Sequence, residues 1–433
     1  MVFDTESYWL TNAHIPSCLI DLDNSVQQTR EGLCLVDLEI SQGKIEQVVA
    51  VSTTATDLPS LNLQKQIVLP CLIDAHTHLD KGHIWERSPN INGTFDMALN
   101  KAIADGSKYW QSEDVYRRME FGLKCSYAHG TQAIRTHIDS YDKQADISLD
   151  VFQSLQSAWR DRITLQAASL VSLDYYQTDA GIALADKIAD LGGVLGGVAW
   201  QNPDLDAQLE TIFTLAKERN LDLDFHADEN GDPDSVCLQK IAQTAIRHDF
   251  TRQITCGHCC SLAVQSADVM SKTIELVKQA NIAVVSLPMC NLYLQDRQVD
   301  MTPHWRGVTR VKELQQQGIP IAFASDNCRD PFFAFGDHDV LEVFEQAVRI
   351  AHLDTPYTNW IESVTTIPAS LMGLDNIGKI APGNVADIII FPARYFSELL
   401  ARSQHNRIVI RKGKQIINQL PDYSELDDLI TNY

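Results

Sequence analysis

The stretch QIVLPCLIDAHTH, residues 66–78, decides the fold. Most of it is continuously apolar, which is typical of a strand buried on both faces of a parallel sheet. It ends in an H-x-H pair, His76 and His78, whose side chains point the same way in an extended chain. We therefore expect a buried strand that carries two imidazoles at its carboxyl end.

Similar buried runs recur along the chain and alternate with amphipathic, helix-period stretches such as residues 206–220, DAQLETIFTLAKERN. Eight such βα units over roughly 300 residues predict a closed (β/α)8 TIM barrel. An open doubly wound sheet is the weaker alternative, because no G-x-G-x-x-G follows the first run. The runs are IVLPCLID (67–74), QAIRTHID (132–139), RITLQAASLV (162–171), GGVLGGVAW (192–200), LDLDFHAD (221–228), RQITCGH (252–258), IAVVSLP (282–288) and IPIAFASD (319–326).

Both ends of the chain have a different character from this central region. Residues 1–66 alternate apolar and polar side chains around a turn at Gln42-Gly43, and β-type patterning returns after residue 375. We expect a barrel over 67–374, flanked by a small β-sandwich domain that residues 1–66 and 375–433 build together.

Composition limits the classes of partner. The 433 residues carry a formal charge of −22, which disfavours nucleic acid and anionic membranes. The ten cysteines are too scattered for a small disulfide scaffold, the amino-terminal segment lacks a signal-peptide pattern, and no apolar run approaches 18 residues. We therefore expect a cytoplasmic, reduced protein that acts on a small molecule.

The polar residues at the strand ends form the candidate site. The active site of a (β/α)8 barrel lies at the carboxyl ends of its strands. Four of the runs end there in metal-ligating residues, and Glu229 follows one of them. The set is His76 and His78, His226, His258, and Asp326.

These residue types indicate metal-assisted hydrolysis. His76, His78, His226 and Asp326 suit one borderline divalent cation, Zn²⁺ or Fe²⁺, and leave a position for water. A second ion is not expected. Two-metal sites on this layout use a carboxylated lysine at the end of the fourth strand to bridge the ions, and here the fourth run ends VAWQ (198–201).

Two further residues are candidate catalytic groups. Glu229 can carry a proton from water to the substrate, and His258 can hold the attacking hydroxide or polarise a developing oxyanion. Lys81 follows the H-x-H pair on a loop, where a substrate contact and a structural role both remain open.

The segment ITCGHCC, residues 254–260, supports three interpretations: a thiol–disulfide centre, a thiolate metal site, or packing cysteines around a catalytic His258. A redox C-x-x-C normally opens a helix in a compact thioredoxin-like fold, so the barrel context favours the third interpretation. Cys256 is then an inward-facing filler, and Cys259 and Cys260 begin a loop close enough to the metal for oxidation to inhibit the enzyme.

The chain from about residue 65 to 415 resembles the amidohydrolase superfamily, in particular its cytosine deaminase-like branch. The resemblance implies that the four ligands named above hold one Zn²⁺ or Fe²⁺, that Glu229 is the proton shuttle, and that His258 orients hydroxide. It also points to His137, in a position behind the ligands. The motifs are DAHTHLDKG (74–82), IRTHID (134–139), HADENGDP (226–233), TCGHCC (255–260), NLYLQDR (291–297), RGVTRVKEL (306–314), ASDNCRDPFFAFG (324–336) and IAPGNVADIIIF (380–391).

Departures from the cytosine deaminases bear on the substrate. Ser172 stands near the place of a glutamine that contacts the pyrimidine, and Asn327 stands where those enzymes have a second aspartate. An amide both donates and accepts hydrogen bonds, whereas an ionised carboxylate only accepts. We therefore expect a substrate whose ring edge has a hydrogen-bonding pattern different from that of cytosine. Phe332 and Phe333 either stack on a flat ring or pack their own loop.

The sequence therefore predicts a metal-dependent hydrolytic deaminase of a small amino-substituted N-heterocycle other than cytosine, with release of ammonia. The alternative is an amidohydrolase that removes an N-alkyl amine from a triazine-like ring or opens a cyclic amide. A thiol redox protein and a non-catalytic binding barrel are weaker interpretations. A homo-oligomer is compatible with any of these functions.

Overall fold

The computed structural model describes residues 5–21, 27–51, 57–354, 357 and 359–430. The strands in this part of the chain are β1 (Ser7–Pro16), β2 (Leu33–Ser41), β3 (Lys44–Ala50), β4 (Ser60–Asn62), β5 (Ile67–Pro70), β6 (Leu72–Thr77), β7 (Thr131–Asp139), β8 (Thr164–Leu170), β9 (Leu195–Ala199), β10 (Leu223–Ala227), β11 (Ile254–His258), β12 (Ile282–Ser286), β13 (Ile321–Phe323), β14 (Ile388–Phe391), β15 (Ile408–Arg411) and β16 (Lys414–Gln415).

The α-helices are α1 (Phe95–Tyr109), α2 (Ser112–His129), α3 (Asp142–Trp159), α4 (Asp179–Asp190), α5 (Leu205–Arg219), α6 (Cys237–Arg247), α7 (Ala267–Gln279), α8 (Pro288–Leu294), α9 (Val311–Gln316), α10 (Val340–Ala351), α11 (Thr366–Leu371), α12 (Phe396–Leu399) and α13 (Asp427–Ile430). Short 3-10 turns cover Ser17–Leu19, Leu173–Gln177, Cys260–Ala263, Trp360–Val364 and Tyr423–Leu426. Within the described ranges, no helix is both long and apolar enough to cross a membrane.

The chain divides into two compact units. The first comprises residues 1–73, 125–132 and 339–420, and the second comprises residues 74–124, 133–338 and 421–433. Each unit contains segments that are distant in sequence.

The first unit is built around one hydrogen-bonded sheet that takes strands from both ends of the chain. Its order is β16-β15-β14-β5-β1-β2-β3, with β4 beside β1. The β2–β3 hairpin turns at Gln42 and Gly43, whose φ angles of 49° and 79° suit a two-residue hairpin loop, so the predicted turn is confirmed. Antiparallel pairing of β5 with β14 joins the two terminal segments.

Alternating apolar residues of these strands form the core of the sheet. They lie on the same face of each strand because side chains alternate along an extended chain. The buried members include Leu10, Ile15, Val36, Leu38, Ile40, Val68, Ile388, Ile390 and Ile410.

The stretch at 67–78 differs from its prediction. A single barrel strand was expected over 67–74, but the chain forms two strands in two sheets. Pro70 ends β5 opposite Ile388, and the ring of a proline leaves it without an N–H for further pairing. Leu72 then starts β6 by donating its N–H to the Gly130 carbonyl at 3.0 Å. The prediction that the run is buried is confirmed, whereas the prediction that it forms one strand of one sheet is wrong.

The second unit is a mixed α/β structure with parallel strands, as the sequence predicts. A five-stranded sheet has the order β13-β12-β11-β10-β9, and a three-stranded sheet has the order β6-β7-β8. Isolated parallel bridges link Ala168 with Val194, Ser172 with Val198, and Thr77 with Asp326. Since Ala227 lies opposite His258 in the β10–β11 register, the carboxyl ends of neighbouring strands reach the same level.

Candidate active site

The strand ends that carry the predicted site residues turn sharply. Asp228, His258 and Asp326 have φ angles of 51°, 68° and 64°, in the left-handed region that non-glycine residues seldom occupy. Asp228 is held there because its carboxylate accepts hydrogen bonds from the backbone N–H groups of Cys237 and Leu238, at 2.8 and 2.9 Å, at the start of α6. Strain of this kind is concentrated at functional sites.

The four predicted metal ligands lie together. The Asp326 Oδ1 atom is 3.2 Å from His78 Nε2 and 3.6 Å from His76 Nε2. His226 Nε2 is 3.3 Å from His78 Nε2. All four side chains are buried, and the structure brings them together.

The chemistry of this cluster fits a divalent cation. Both nitrogens of His76, the Nδ1 atoms of His78 and His226, and both carboxylate oxygens of Asp326 are buried without a hydrogen-bond partner in the described structure. Unsatisfied polar atoms at such density are costly unless something compensates them. Burial, followed by the neighbouring histidines, lowers the pKa of His76 well below its ordinary value, which keeps this imidazole neutral and able to ligate.

Neighbouring residues position these ligands. A Cβ atom at Gly257 would lie 2.8 Å from His76 Cε1, so only glycine leaves room for that ring. Asp74 accepts hydrogen bonds from the Ser325 hydroxyl and, at 3.1 Å, from its backbone N–H. The residue immediately before Asp326 is thereby tied to the strand that carries His76.

His137 is a further imidazole in the cluster. Its ring centroid is 3.9 Å from that of His76, and its Nε2 atom is 3.2 Å from Asp224 Oδ1. The other Asp224 oxygen accepts from Arg135 Nη1 at 2.8 Å. The nitrogens of His137 also lie near those of His76 and His226, so this residue could either ligate an ion or support the ligands.

Glu229 and His258, the predicted catalytic groups, lie next to each other. Glu229 Oε1 is 3.3 Å from His258 Nδ1, and both side chains approach Asp326. Burial, together with the nearby Asp326 charge, raises the pKa of Glu229 well above its ordinary value. Burial lowers the pKa of His258 to about 4, so this imidazole is neutral at pH 7.

Asn291 fixes the tautomer of His258 and was not assigned a role from the sequence. Its Nδ2 group donates to His258 Nδ1 at 3.0 Å, which leaves the proton on the buried Nε2. Asn291 opens the NLYLQDR motif and lies on α8. This motif was the only sequence signal for Asn291. Its spacing gave no indication that the amide contacts a histidine 33 positions earlier.

A cavity of about 620 Å³ opens onto these groups, a size typical of small-molecule sites. His78, Glu229, His258 and Asp326 line its polar part. Its walls are largely apolar and include Phe95, Leu99, Ile103, Trp110, Trp200 and Phe332. The α1 contribution and Trp200 were not predicted, although Trp200 directly follows the end of β9, a position that favours the site in this architecture.

The predicted substrate contacts all border the cavity, but they differ in how many hydrogen-bonding groups remain available to a ligand. The Ser172 hydroxyl already donates to Asp174. Asn327 Nδ2 donates to Asp330 at 2.7 Å, which leaves its Oδ1 atom and a second N–H for a ligand. Phe332 lines the cavity.

Two other residues discussed from the sequence differ in position. Phe333 packs against Tyr293 and Phe335 instead of lining the cavity. Lys81 reaches the cavity, donates to Asp139 at 2.7 Å, and lies 5.5 Å from the Phe332 ring centre. A cation therefore stands at the edge of an otherwise acidic and apolar site.

The cysteines of ITCGHCC are buried and unpaired with one another. Burial raises the pKa values of the Cys256 and Cys259 thiols well above the ordinary value. A reactive thiolate is disfavoured in such surroundings. The packing interpretation of this segment, with His258 as its chemical residue, agrees with this environment.

Comparison with known proteins gives a consistent result. The amidohydrolase family model matches residues 120–417, more than half of the chain. A pterin deaminase of Rhizobium rhizogenes strain K84 is 47% identical over 422 residues, which cover 97% of this chain and 96% of that protein. An N-isopropylammelide isopropyl amidohydrolase of Pseudomonas sp. strain ADP is 23% identical over 368 residues, covering 82% and 87%.

Solved structures show the same fold. The 5-methylcytosine deaminase of Klebsiella pneumoniae liganded with 5-fluorocytosine has a TM-score of 0.81 at 24% identity, covering 96% of this chain and 98% of the other. The N-isopropylammelide isopropylaminohydrolase of Burkholderia multivorans has a TM-score of 0.74 at 19% identity, covering 96% and 100%.

Proposed function

The chain belongs to the amidohydrolase family, and on that premise we propose that it is a hydrolytic deaminase of an amino-substituted N-heterocycle, with a pterin-type bicyclic ring as its substrate. The observation that carries the proposal is the buried cluster of Glu229, His258 and Asp326 with three imidazoles beside an apolar cavity. Acid–base groups and candidate metal ligands meet there at one point, as hydrolysis at an amidine carbon requires.

His76, His78, His226 and Asp326 would hold one divalent ion, Zn²⁺ or Fe²⁺, in this metal-dependent family. Three neutral imidazoles and a carboxylate match the preference of these ions for nitrogen and oxygen ligands. When bound, the ion would lower the pKa of water at the site, so that hydroxide is available near neutral pH.

Glu229 moves the protons of the reaction. It takes a proton as the water oxygen forms its bond to the amidine carbon, and it delivers that proton to the adjacent ring nitrogen. Glu229 then takes the remaining hydroxyl proton and passes it to the amino nitrogen. The C–N bond to that nitrogen breaks, ammonia leaves, and the carbon becomes a carbonyl. The raised pKa of Glu229 suits a group that must both accept and release a proton.

His258 acts as a neutral hydrogen-bond donor. Because Asn291 occupies its Nδ1 atom, the Nε2–H group is available to the attacking or developing oxygen. A neutral imidazole provides this donor without adding a charge that would compete with the metal.

The cavity walls favour a flat ring larger than a single pyrimidine. Phe332 and Trp200 provide aromatic surface, and the α1 residues Leu99 and Ile103 extend the apolar wall beyond the polar groups. Asn327 and Ser172 remain the proposed polar contacts to the ring edge. A site built around such contacts discriminates strongly against a ring that leaves them unpaired.

Removal of an alkylamine is the second candidate function. The isopropyl amidohydrolase of Pseudomonas supports it at 23% identity, against 47% for the pterin deaminase. The same acid–base groups would serve either bond, so the leaving group distinguishes the two functions. The difference in identity favours ammonia.

The architecture of the whole chain is part of the proposal. The isolated bridges of Thr77 with Asp326 and of Ala168 with Val194 support closure of β6–β13 into an eight-stranded barrel. The proposed barrel, predicted over 67–374, then begins with β6, because β5 belongs to the terminal sheet, and the proposed β-sandwich takes β5 together with 1–66 and 375–433. The net charge of −22 argues against nucleic acid, the scattered cysteines suit the cytoplasm, and a homo-oligomer is compatible with the fold.

Ammonia release tests the function. The purified protein, loaded with Zn²⁺ or Fe²⁺ and assayed for metal content, is incubated with pterin, cytosine, 5-methylcytosine and N-isopropylammelide. We expect ammonia from pterin at the highest kcat/KM and little from cytosine. Isopropylamine as the main product would establish the second candidate, and metal-loaded protein without either product would contradict both.

A further inference from the structure

A second cluster of side chains of metal-ligating types lies in the α/β unit, and its members are not among the residues that line the cavity. His83, Cys328 and His338 are each about 2% exposed. One ligand atom from each residue lies within 4.8 Å of those from the other two. None of the three belongs to the proposed catalytic centre.

We propose that His83, Cys328 and His338 form a second, structural metal site that takes Zn²⁺. Imidazole nitrogen and thiolate sulfur are the donor types that Zn²⁺ takes in proteins, whereas Mg²⁺ and Ca²⁺ require oxygen ligands. A water molecule or a nearby oxygen would complete a tetrahedron.

The spacing of the two imidazoles fits such a site. His83 Nε2 and His338 Nε2 are 3.2 Å apart. Zinc–nitrogen bonds of about 2.0–2.1 Å at a tetrahedral angle place two ligand nitrogens about 3.3–3.4 Å apart. His78 Nε2 and His226 Nε2, at the proposed catalytic centre, are 3.3 Å apart, so the two pairs are equivalent in this respect.

A simple hydrogen bond between the two rings is the competing explanation. It would require one Nε2 atom to donate to the other, and it gives the thiol of Cys328 no part. The backbone instead brings all three residues together. The His83 N–H donates to the Cys328 carbonyl at 3.1 Å, and His83 and His338 have φ angles of 60° and 54°.

A glycine leaves part of the space that this cluster occupies. A Cβ atom at Gly122 would lie 2.9 Å from His338 Nε2. The approach of the imidazole to α2 therefore depends on the absence of a side chain at position 122.

The surrounding charges permit a cation. Burial, followed by the histidine and arginines nearby, lowers the pKa of His83 well below its ordinary value, so the ring is neutral. The two arginines are themselves paired, Arg118 with Asp114 at 2.7 Å and Arg329 with Glu86. A bound Zn²⁺ would displace the thiol proton of Cys328, and the resulting thiolate would offset part of the added charge.

Metal analysis and cobalt substitution test this site. The full-length protein is incubated with Zn²⁺, desalted, and assayed for metal by mass spectrometry. We expect two equivalents in the wild type, and one each in Cys328→Ser and in His76→Ala. The matched control Cys34→Ser removes a buried thiol of the terminal sheet and should retain two equivalents.

Cobalt identifies the thiolate directly, because the four proposed catalytic ligands contain no sulfur. The Co²⁺-loaded wild type and His76→Ala should show a thiolate-to-cobalt charge-transfer band in the near ultraviolet, and Cys328→Ser should not. Absence of the band in the wild type would overturn the proposal even if the cysteine variant fails to fold, whereas one equivalent with the band present would count against the proposed catalytic ion instead. Persistence of the band in Cys328→Ser would also overturn it.

Discussion

Replacement of Glu229 by glutamine is the most direct test of the proposed chemistry. Glutamine has nearly the same shape but cannot carry the proton from water to the ring nitrogen. A positioned general acid–base group typically contributes about 10²–10⁴ in rate. The side chain of Glu229 is only 11% exposed, so bulk water cannot readily replace it. We therefore expect a loss of about 10³–10⁴ in kcat/KM, or about 4–5.5 kcal/mol of transition-state stabilisation.

The assay follows ammonia release from pterin over a range of substrate concentrations, together with metal content and thermal stability. Metal content should stay at the wild-type value, because the proposed ligands are His76, His78, His226 and Asp326. Glu345→Gln is a matched control, since Glu345 is also a largely buried carboxylate with a raised pKa, caused by burial. It should leave the rate unchanged.

Two outcomes would refute the proton-shuttle role. One is a decrease in kcat/KM of less than tenfold with metal retained. The other is loss of metal in Glu229→Gln, which would make this carboxylate a ligand. In the second case, the loss of rate would follow from the loss of the ion, which contradicts a role of Glu229 confined to proton transfer.

Three further predictions concern specificity, stability and the cysteines. Asn327→Asp should reduce kcat/KM for pterin about 5- to 150-fold by steady-state kinetics, because one lost hydrogen bond in a buried site costs about 1–3 kcal/mol. Asp339→Asn should lower the free energy of unfolding by about 3–5 kcal/mol in urea denaturation, because it leaves the buried Arg407 guanidinium, 2.8 Å away, without its carboxylate. Cys256→Ser combined with Cys259→Ser should retain most of the ammonia-releasing activity.

Each of these predictions has a defined contrary result. Unchanged kinetics in Asn327→Asp would remove that amide from the substrate site. For Asp339, burial alone would raise the pKa, but Arg407 lowers it below the ordinary value, so the stabilisation is present above the usual Asp range and disappears in strong acid. A stability difference that does not shrink in acid would contradict this. Loss of turnover in the folded, metal-loaded double cysteine variant would revive the redox interpretation.

The parallel strands and the proximity of His76, His78, His226 and Asp326 could be predicted because both follow from backbone geometry. Strand periodicity puts His76 and His78 on one side of their strand, and parallel register brings His226, His258 and Asp326 to the same level. No knowledge of side-chain packing was needed. The division of residues 67–74 between two sheets was missed, because an apolar run carries no information about which strands it pairs with.

Contacts that depend on packing between distant segments could not be predicted in the same way. Asn291 reaches His258 only because α8 follows β12 and folds back over the end of β11. The α1 wall has the amphipathic pattern of any surface helix, and its sequence does not show that Leu99 and Ile103 border a cavity. Strand ends therefore predict the reacting groups, whereas the shape of the cavity has to be read from the structure.

The strand ends and the cavity wall should affect different steps of catalysis. If the reaction is set by strand-end residues and the ring is selected by α1, Trp200 and Phe332, then changes in the wall should alter KM and substrate preference while leaving the acid–base step intact. Ile103 is 62% exposed and belongs to the apolar wall of the cavity. It is not one of the polar groups proposed for the acid–base step. Ile103→Ala should therefore change kcat/KM for bicyclic rings more than for 5-methylcytosine. An equal loss for both substrates in steady-state kinetics would mean that α1 supports the fold of the site and does not select the ring.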